Sequence, residues 1–385
     1  MSRRQVALLC DYALLPDRIG GMDRFFWALH TAMTAAGWHV TWLFPAGTDS
    51  THYQERNFTL LPLPKDGFLP AATAYLAAHP VDLLVSHFVP YMTRYSLDWR
   101  RAGVRCYIAV DHMSRPQFPR RRGQRARLAV KGLLLAPTVH QVVAVSGFVG
   151  AAVARELGPQ WRRKTAIIAN GVDTAVVSGE CSVFSDGLNR PLSTQHSALS
   201  TAGGTDPLHL VIVAHLMAEK GIQVALAALA QARDELPPLR LSIAGRGPYA
   251  PELQAAVVRL GLADQVAFLG SITAQAALLR GADVALVPSL WQEACPFGVI
   301  EAMAAGLPVL ASATGGVPEL LGDTGILVPP GDVAAFAAGL RRLAGDAGER
   351  ARLGRAAQAR VAAHYTLPRM VTDHYTLLAQ ALGDR

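Results

Sequence analysis

The chain has 385 residues, 51% of them apolar and 17% charged, which suits two domains that each bury a core and excludes a disordered polymer. Its four cysteines, Cys10, Cys106, Cys181 and Cys295, are scattered, so neither a disulfide framework nor a zinc site is indicated, and a reducing cytoplasm is the expected compartment. The net charge of +7 would suit nucleic acid, but its distribution argues otherwise. Arg115, Arg120, Arg121, Arg122, Arg125, Arg127 and Lys131 crowd one stretch before an apolar run over 132–139, with Phe118 the one interleaved aromatic, so there is no base-stacking platform. That pattern suits an anionic membrane surface as well as it suits a solvated loop and helix start.

In chain order, residues 6–10 are apolar after two arginines and are followed at once by Asp11, which predicts a first strand rather than a signal peptide. Further strands are predicted over 40–44, 81–86, 105–110, 141–145 and 165–169, with helices over 22–36, 67–79 and 147–157. This alternation implies right-handed crossovers and a parallel sheet, so the first domain is placed at 1–173. Over 174–206 Ser, Thr, Gly, Asn and Asp accumulate without apolar period, and a flexible interdomain linker is predicted. Strand patterns resume at 208–214, 239–244, 266–269, 284–287, 308–311 and 326–328, giving a second α/β domain over 207–367. A last helical segment, 368–385, is expected to cross back to the first domain. The fold class is therefore α/β, two Rossmann-like doubly wound domains facing each other across a cleft. No apolar run approaches a membrane span.

The richest stretch runs from Pro288 through Ser-Leu-Trp-Gln-Glu-Ala-Cys-Pro-Phe-Gly-Val-Ile-Glu-Ala-Met-Ala-Ala-Gly-Leu-Pro to Val309. It predicts a strand end, a loop holding Glu293, and a helix starting near Phe297 that carries Glu301. Free amides and the positive dipole end at a helix N-terminus suit a pyrophosphate. A carboxylate beside phosphate is repulsive, so both glutamates suit sugar or ribose hydroxyls better. In isolation, a surface Glu293 and a dipole-complementing Glu301 would explain the pair as well.

The segment resembles the Glu-x7-Glu signature of the family 4 (group 1) retaining glycosyltransferases of the GT-B fold. The resemblance implies that Glu293 contacts the donor sugar, Glu301 the ribose, and intervening amides the diphosphate. Here Ala-Cys-Pro precedes Phe297-Gly298, and Pro296 has no N–H to donate, so the amides of Phe297 and Gly298 are the expected phosphate donors. Val213-Ala-His-Leu-Met-Ala-Glu-Lys-Gly221 resembles the family's element whose arginine and lysine bracket the diphosphate. Lys220 matches, whereas His215 holds the arginine position, and it is near-neutral at pH 7 unless phosphates raise its pKa.

Other matches keep the family's order. Gly20-Gly21 resembles its glycine turn near the donor phosphate, although a loop needing positive φ explains it equally well. Ala169-Asn-Gly-Val-Asp173 resembles the turn leading into the linker, and its expected role is structural. Gly245-Arg-Gly-Pro248 and Gly315-Gly-Val-Pro-Glu319 resemble loops at the mouth of the second domain, with Gly245 and Glu319 near the nucleotide. His87 and His112 follow first-domain strands, and Asp111-His112 matches a family histidine that touches the donor sugar. His87 reads equally well as a satisfied loop histidine.

The resemblance implies transfer of a sugar from a UDP- or GDP-sugar to a saccharide or lipid-linked acceptor, with retention and by a front-face route in which the leaving phosphate assists acceptor deprotonation. Glu293 and His112 are the expected catalytic groups, and Gly21, His215, Lys220, Gly245, Phe297, Gly298, Glu301 and Glu319 the donor-binding ones. There is no Asp-x-Asp pair, so no metal or other cofactor is expected. Cell-envelope glycan synthesis at the inner face of the membrane is the setting relatives suggest. A catalytically weak or inactive nucleotide-sugar-binding subunit would explain His215 and Pro296. A dinucleotide oxidoreductase is disfavoured because no Gly-x-Gly-x-x-Gly follows the first strand.

Overall fold

The computed structural model describes residues 4–12, 14, 19–46, 51–114, 122–178, 207–272 and 275–383. Two compact units share the chain. One takes the described residues up to Ser114, those from 122 to Asn170, and those from Leu367 onward; the other takes Gly171–Thr366.

The first unit holds seven parallel strands: β1 (Gln5–Cys10), β2 (His39–Pro45), β3 (Thr59–Leu63), β4 (Leu83–His87), β5 (Cys106–Asp111), β6 (Gln141–Ala144) and β7 (Thr165–Ile167), in the order β3-β2-β1-β4-β5-β6-β7. The central β4 and β5 are buried along their whole length, as parallel strands covered on both faces require. Trp42, Trp99, Trp161, Phe25 and Phe26 fill the space under the flanking helices. Strand β3 is missing from the sequence reading: its burial is irregular and Pro62 interrupts it, which an edge strand tolerates because one side of its ladder is open.

The second unit holds β8 (Leu208–Val213), β9 (Leu239–Ala244), β10 (Val266–Gly270), β11 (Val284–Val287), β12 (Val309–Ser312) and β13 (Ile326–Val328), parallel in the order β10-β9-β8-β11-β12-β13. In each sheet the order reverses beside the first strand, at β1/β4 and at β8/β11. Open α/β sheets take ligands outside the carboxyl ends of the strands at such a switch point.

The stretch read as linker opens with a short helix, Thr174–Ser178. The Asp173 carboxylate accepts from the amide of Ala175 at 3.2 Å, and Arg280 donates to the carbonyl of Val177 at 2.9 Å. The rest of that stretch, 179–206 with Cys181, lies outside the described residues, as do Arg115, Phe118, Arg120 and Arg121. The last helix, Leu367–Ala381, belongs to the first unit and packs on the helix Gly21–Ala35. There His374 lies 4.7 Å from Phe25 and Tyr375 stacks 5.2 Å from Trp38.

Candidate functional site

In the second unit four strand-end loops lock together through their main chains. Gly221, at φ 68, lies so close to Pro288 that a Cβ there would come 1.9 Å from its carbonyl oxygen. A Cβ on Gly245 would come 1.8 Å from the Ala214 oxygen, and one on Gly315 2.0 Å from that of Glu293. The glycines of the three matched motifs are thus required by loop-to-loop contact as well as by positive φ. Hydrogen bonds complete the lock: Leu290 N to Glu219 O at 2.8 Å, Leu216 N to Arg246 O at 3.0 Å and Gly316 N to Glu293 O at 2.8 Å.

This frame presents the charged groups. Glu293 is buried, and its Oε1 accepts from Lys220 Nζ at 2.6 Å and from Ser289 Oγ at 2.8 Å. The ammonium and the hydroxyl replace the water that burial removes from this carboxylate. The helix Phe297–Ala304 follows, with Pro296 as its N-cap and no side chain capping it. The amides of Val299 and Ile300 turn back to the Pro296 carbonyl at 3.2 and 3.4 Å, which leaves those of Phe297 and Gly298 at the helix end. Glu301, one turn on, accepts from Gln275 Nε2. His215 and Glu319 are exposed, and the Glu319 carbonyl is held by Arg360 at 2.9 Å and Tyr365 at 3.2 Å.

The first unit gathers its own group at β1/β4. Gly20 has φ −94, so the glycine turn is not required by positive φ. Its amide is instead fixed by Asp23 Oδ2 at 2.8 Å. Asp23 is buried and also accepts from Tyr12 at 3.2 Å and Tyr53 at 2.8 Å, a network that orients Gly21 at the start of its helix. Tyr12 stacks on Phe88 at 5.4 Å, and Phe88 stacks on His112 at 4.4 Å. Phe88 has φ 60, a conformation costing a bulky residue about 1–3 kcal/mol.

His112 is partly exposed, whereas His87 is the fully buried last residue of β4 rather than a loop residue. Their nearest nitrogens, Nδ1 of His87 and Nε2 of His112, are 3.0 Å apart. Burial holds His112 down at about 3, helped by His374 and opposed by the Asp111 carboxylate. Burial also drives His87 well below the usual histidine range, with His112 and His374 adding to it. Asp23 and Phe88 escape sequence reading because they carry no motif, and the His87–His112 contact because it forms only once β4 and β5 are paired.

Among the described residues no group of histidine, cysteine and carboxylate side chains is arranged to hold a metal ion.

Residues 207–346 match the family model described as "Glycosyl transferases group 1", and residues 19–176 match "Glycosyltransferase Family 4". Glycogen synthase of Mycobacterium tuberculosis is 35% identical over 188 residues, 47% of this chain and 45% of that protein. D-inositol 3-phosphate glycosyltransferase of Streptomyces avermitilis is 36% identical over 224 residues, 53% of this chain and 48% of its own. The chain thus spans about half the length of the curated relatives it matches. Among solved structures, Anabaena Alr3699/HepE in complex with UDP superposes with a TM-score of 0.78 at 20% identity, covering 98% of this chain and all of that one. Sucrose-phosphate synthase from Thermosynechococcus elongatus gives 0.76 at 22% identity, with both chains fully covered. With both halves matched and the GT-B architecture shared, the chain belongs to the family 4 (group 1) glycosyltransferases.

Proposed function

We propose that the chain is a retaining glycosyltransferase that moves a sugar from a UDP- or GDP-sugar to a saccharide or lipid-linked acceptor in cell-envelope glycan synthesis. The observation that carries this reading is the β8/β11 switch point. A buried carboxylate, Glu293, shares Lys220 beside the uncapped N-terminus of the helix Phe297–Ala304. Lys220 and the helix amides would take up the diphosphate charge as the glycosidic bond opens. Glu293 would accept from hydroxyls of the donor sugar, Glu301 from those of the ribose, and His112 would contact the sugar from the first unit. HepE binds UDP and UDP-glucose according to its structures, which supports a nucleotide-sugar donor.

The helix Arg122–Leu135 supports an acceptor at an anionic membrane surface. Gly132 pins it, its carbonyl accepting from Trp161 Nε1 at 3.1 Å. Val130, Leu133 and Leu134 stay 58–68% exposed beside exposed Arg122, Arg125, Arg127 and Lys131. Apolar and basic groups on one free face suit the headgroup region of an anionic leaflet. Among the described residues no helix is long and apolar enough to cross a membrane.

The test is a panel of UDP- and GDP-sugars, scored by thermal shift and nucleotide release for the wild type and for Glu301→Ala. One donor that stabilises the wild type and is turned over, with at least about a tenfold loss in the variant, is expected. Binding without release under every acceptor would favour the inactive-subunit reading, which the exposed His215 at the arginine position motivates. No binding by any donor would sink both.

A further inference from the structure

Two buried imidazole nitrogens have no partner among the described residues: Nε2 of His87 and Nε2 of His374. In His374 the other nitrogen settles where the proton is. Nδ1 lies 2.8 Å from the Met370 carbonyl oxygen, which can only accept, so Nδ1 carries the proton and Nε2 is a bare lone pair. The same reasoning applies to His87 and His112.

A single proton lies between Nδ1 of His87 and Nε2 of His112, because nitrogens 3.0 Å apart leave room for only one. If it belonged to His112, the proton of His87 would sit on its Nε2, a buried N–H with no acceptor. Orphaned buried donors are rarer than orphaned lone pairs. If it belongs to His87, the unpartnered Nε2 is only a lone pair, as in His374. His112 must then carry its own proton on Nδ1, the nitrogen with no hydrogen bond among the described residues.

Phe88 adds a second restraint. It directly follows His87, and its left-handed backbone brings its ring flat against His112, 4.4 Å away and tilted by 18°. The His112 ring is therefore held in plane by a stack and in tautomer by a hydrogen bond.

We infer that His87 is a positioning residue for sugar transfer: by donating Nδ1–H to Nε2 of His112, it makes His112 a hydrogen-bond donor through Nδ1 and not a base. This rests on the proposed contact of His112 with the donor sugar. A donor at that place would hold a sugar hydroxyl as positive charge develops at the anomeric carbon, and would take no proton from the acceptor.

Nitrogen-15 NMR of the ligand-free protein labelled at histidine tests the tautomer without reference to activity. The wild type should show His112 with a protonated Nδ1 and a bare Nε2. His87→Asn, whose side-chain amide can still donate, should keep that pattern, and His87→Phe should give a mixture of tautomers. With the nucleotide sugar found by the donor panel, His87→Phe should lower kcat about tenfold with KM changed less than twofold, and His87→Asn should recover most of the loss. A wild-type proton on Nε2, or an unchanged tautomer in His87→Phe, would overturn the inference. The expected tautomers with unaltered kcat in both variants would overturn the positioning role. A wild type that turns over no nucleotide sugar would instead sink the proposed function, leaving the NMR result standing.

Discussion

The two switch points are stiffened by opposite means. At β8/β11 main chain lies on main chain, with Gly221 against Pro288, Gly245 against Ala214 and Gly315 against Glu293. At β1/β4 side chains do the work: Tyr12, Phe88 and His112 stack, and Asp23 draws in the Gly20 amide and two tyrosine hydroxyls. A main-chain lock leaves side chains free to face a ligand, as Lys220 and Glu293 are. A side-chain lock uses up the groups that form it, and fewer remain to meet a substrate.

The largest test of this contrast compares two glycines. Gly315→Ala would put a Cβ 2.0 Å from a carbonyl oxygen at φ 55, and is expected to cost about 3 kcal/mol or more. Gly20→Ala meets nothing nearer than 3.5 Å at φ −94, and should cost under about 1 kcal/mol. Denaturant unfolding of the two variants decides it, and equal losses would dissolve the contrast.

An intermediate effect concerns acid. Burial holds His374 at about 4, against an ordinary value of 6.5, and also lowers His87 well below that value. The unfolded chain therefore binds more protons below pH 6.5. Stability is complete above that value and falls as pH drops toward 4, by about 1.4 kcal/mol per pH unit for each such histidine. His87→Phe should flatten the dependence of melting temperature on pH over this window. An unchanged slope in that variant would remove His87 from the account.

The smallest expected effect per residue is at the surface of the first unit. Charge reversal at Arg122, Arg125 and Arg127 should weaken sedimentation with anionic vesicles by roughly 1 kcal/mol per residue at low salt, leaving turnover of a soluble acceptor unchanged. Binding indifferent to both the reversal and the lipid charge would confine the membrane reading to a solvated helix.

The same contrast explains what the sequence made legible. Main-chain locks are spelled as glycines at fixed offsets from strand ends, so the loops holding Lys220, Gly245, Glu293 and Gly315 could be read together. All six second-unit strands were read to within one residue at each end, and 239–244, 284–287 and 326–328 match β9, β11 and β13 at both ends. Side-chain locks are spelled as ordinary residues far apart. His87 and His112 meet because β4 and β5 pair in a register that sets His87 beside Val110, and no periodicity announces a register. Phe88 gave no signal because an aromatic residue at positive φ is the opposite of what composition suggests. Strand β3 escaped because Pro62 argues against a strand anywhere except an edge. The helix at Thr174–Ser178 escaped because a single turn held by Asp173 is too short to show a period.

The return of the last helix to the first unit has a consequence for biosynthesis. Everything from β1 to Asn170 leaves the ribosome well before residues 367–381, yet His374 is buried against Phe25 and Tyr375 stacks on Trp38. Until the final helix emerges, one flank of the helix Gly21–Ala35 has no cover, and the histidine cluster lacks its third member. A nascent chain would thus complete its second unit first and close its first unit last, so a stop codon that removed only the final helix would strike the half of the protein made earliest.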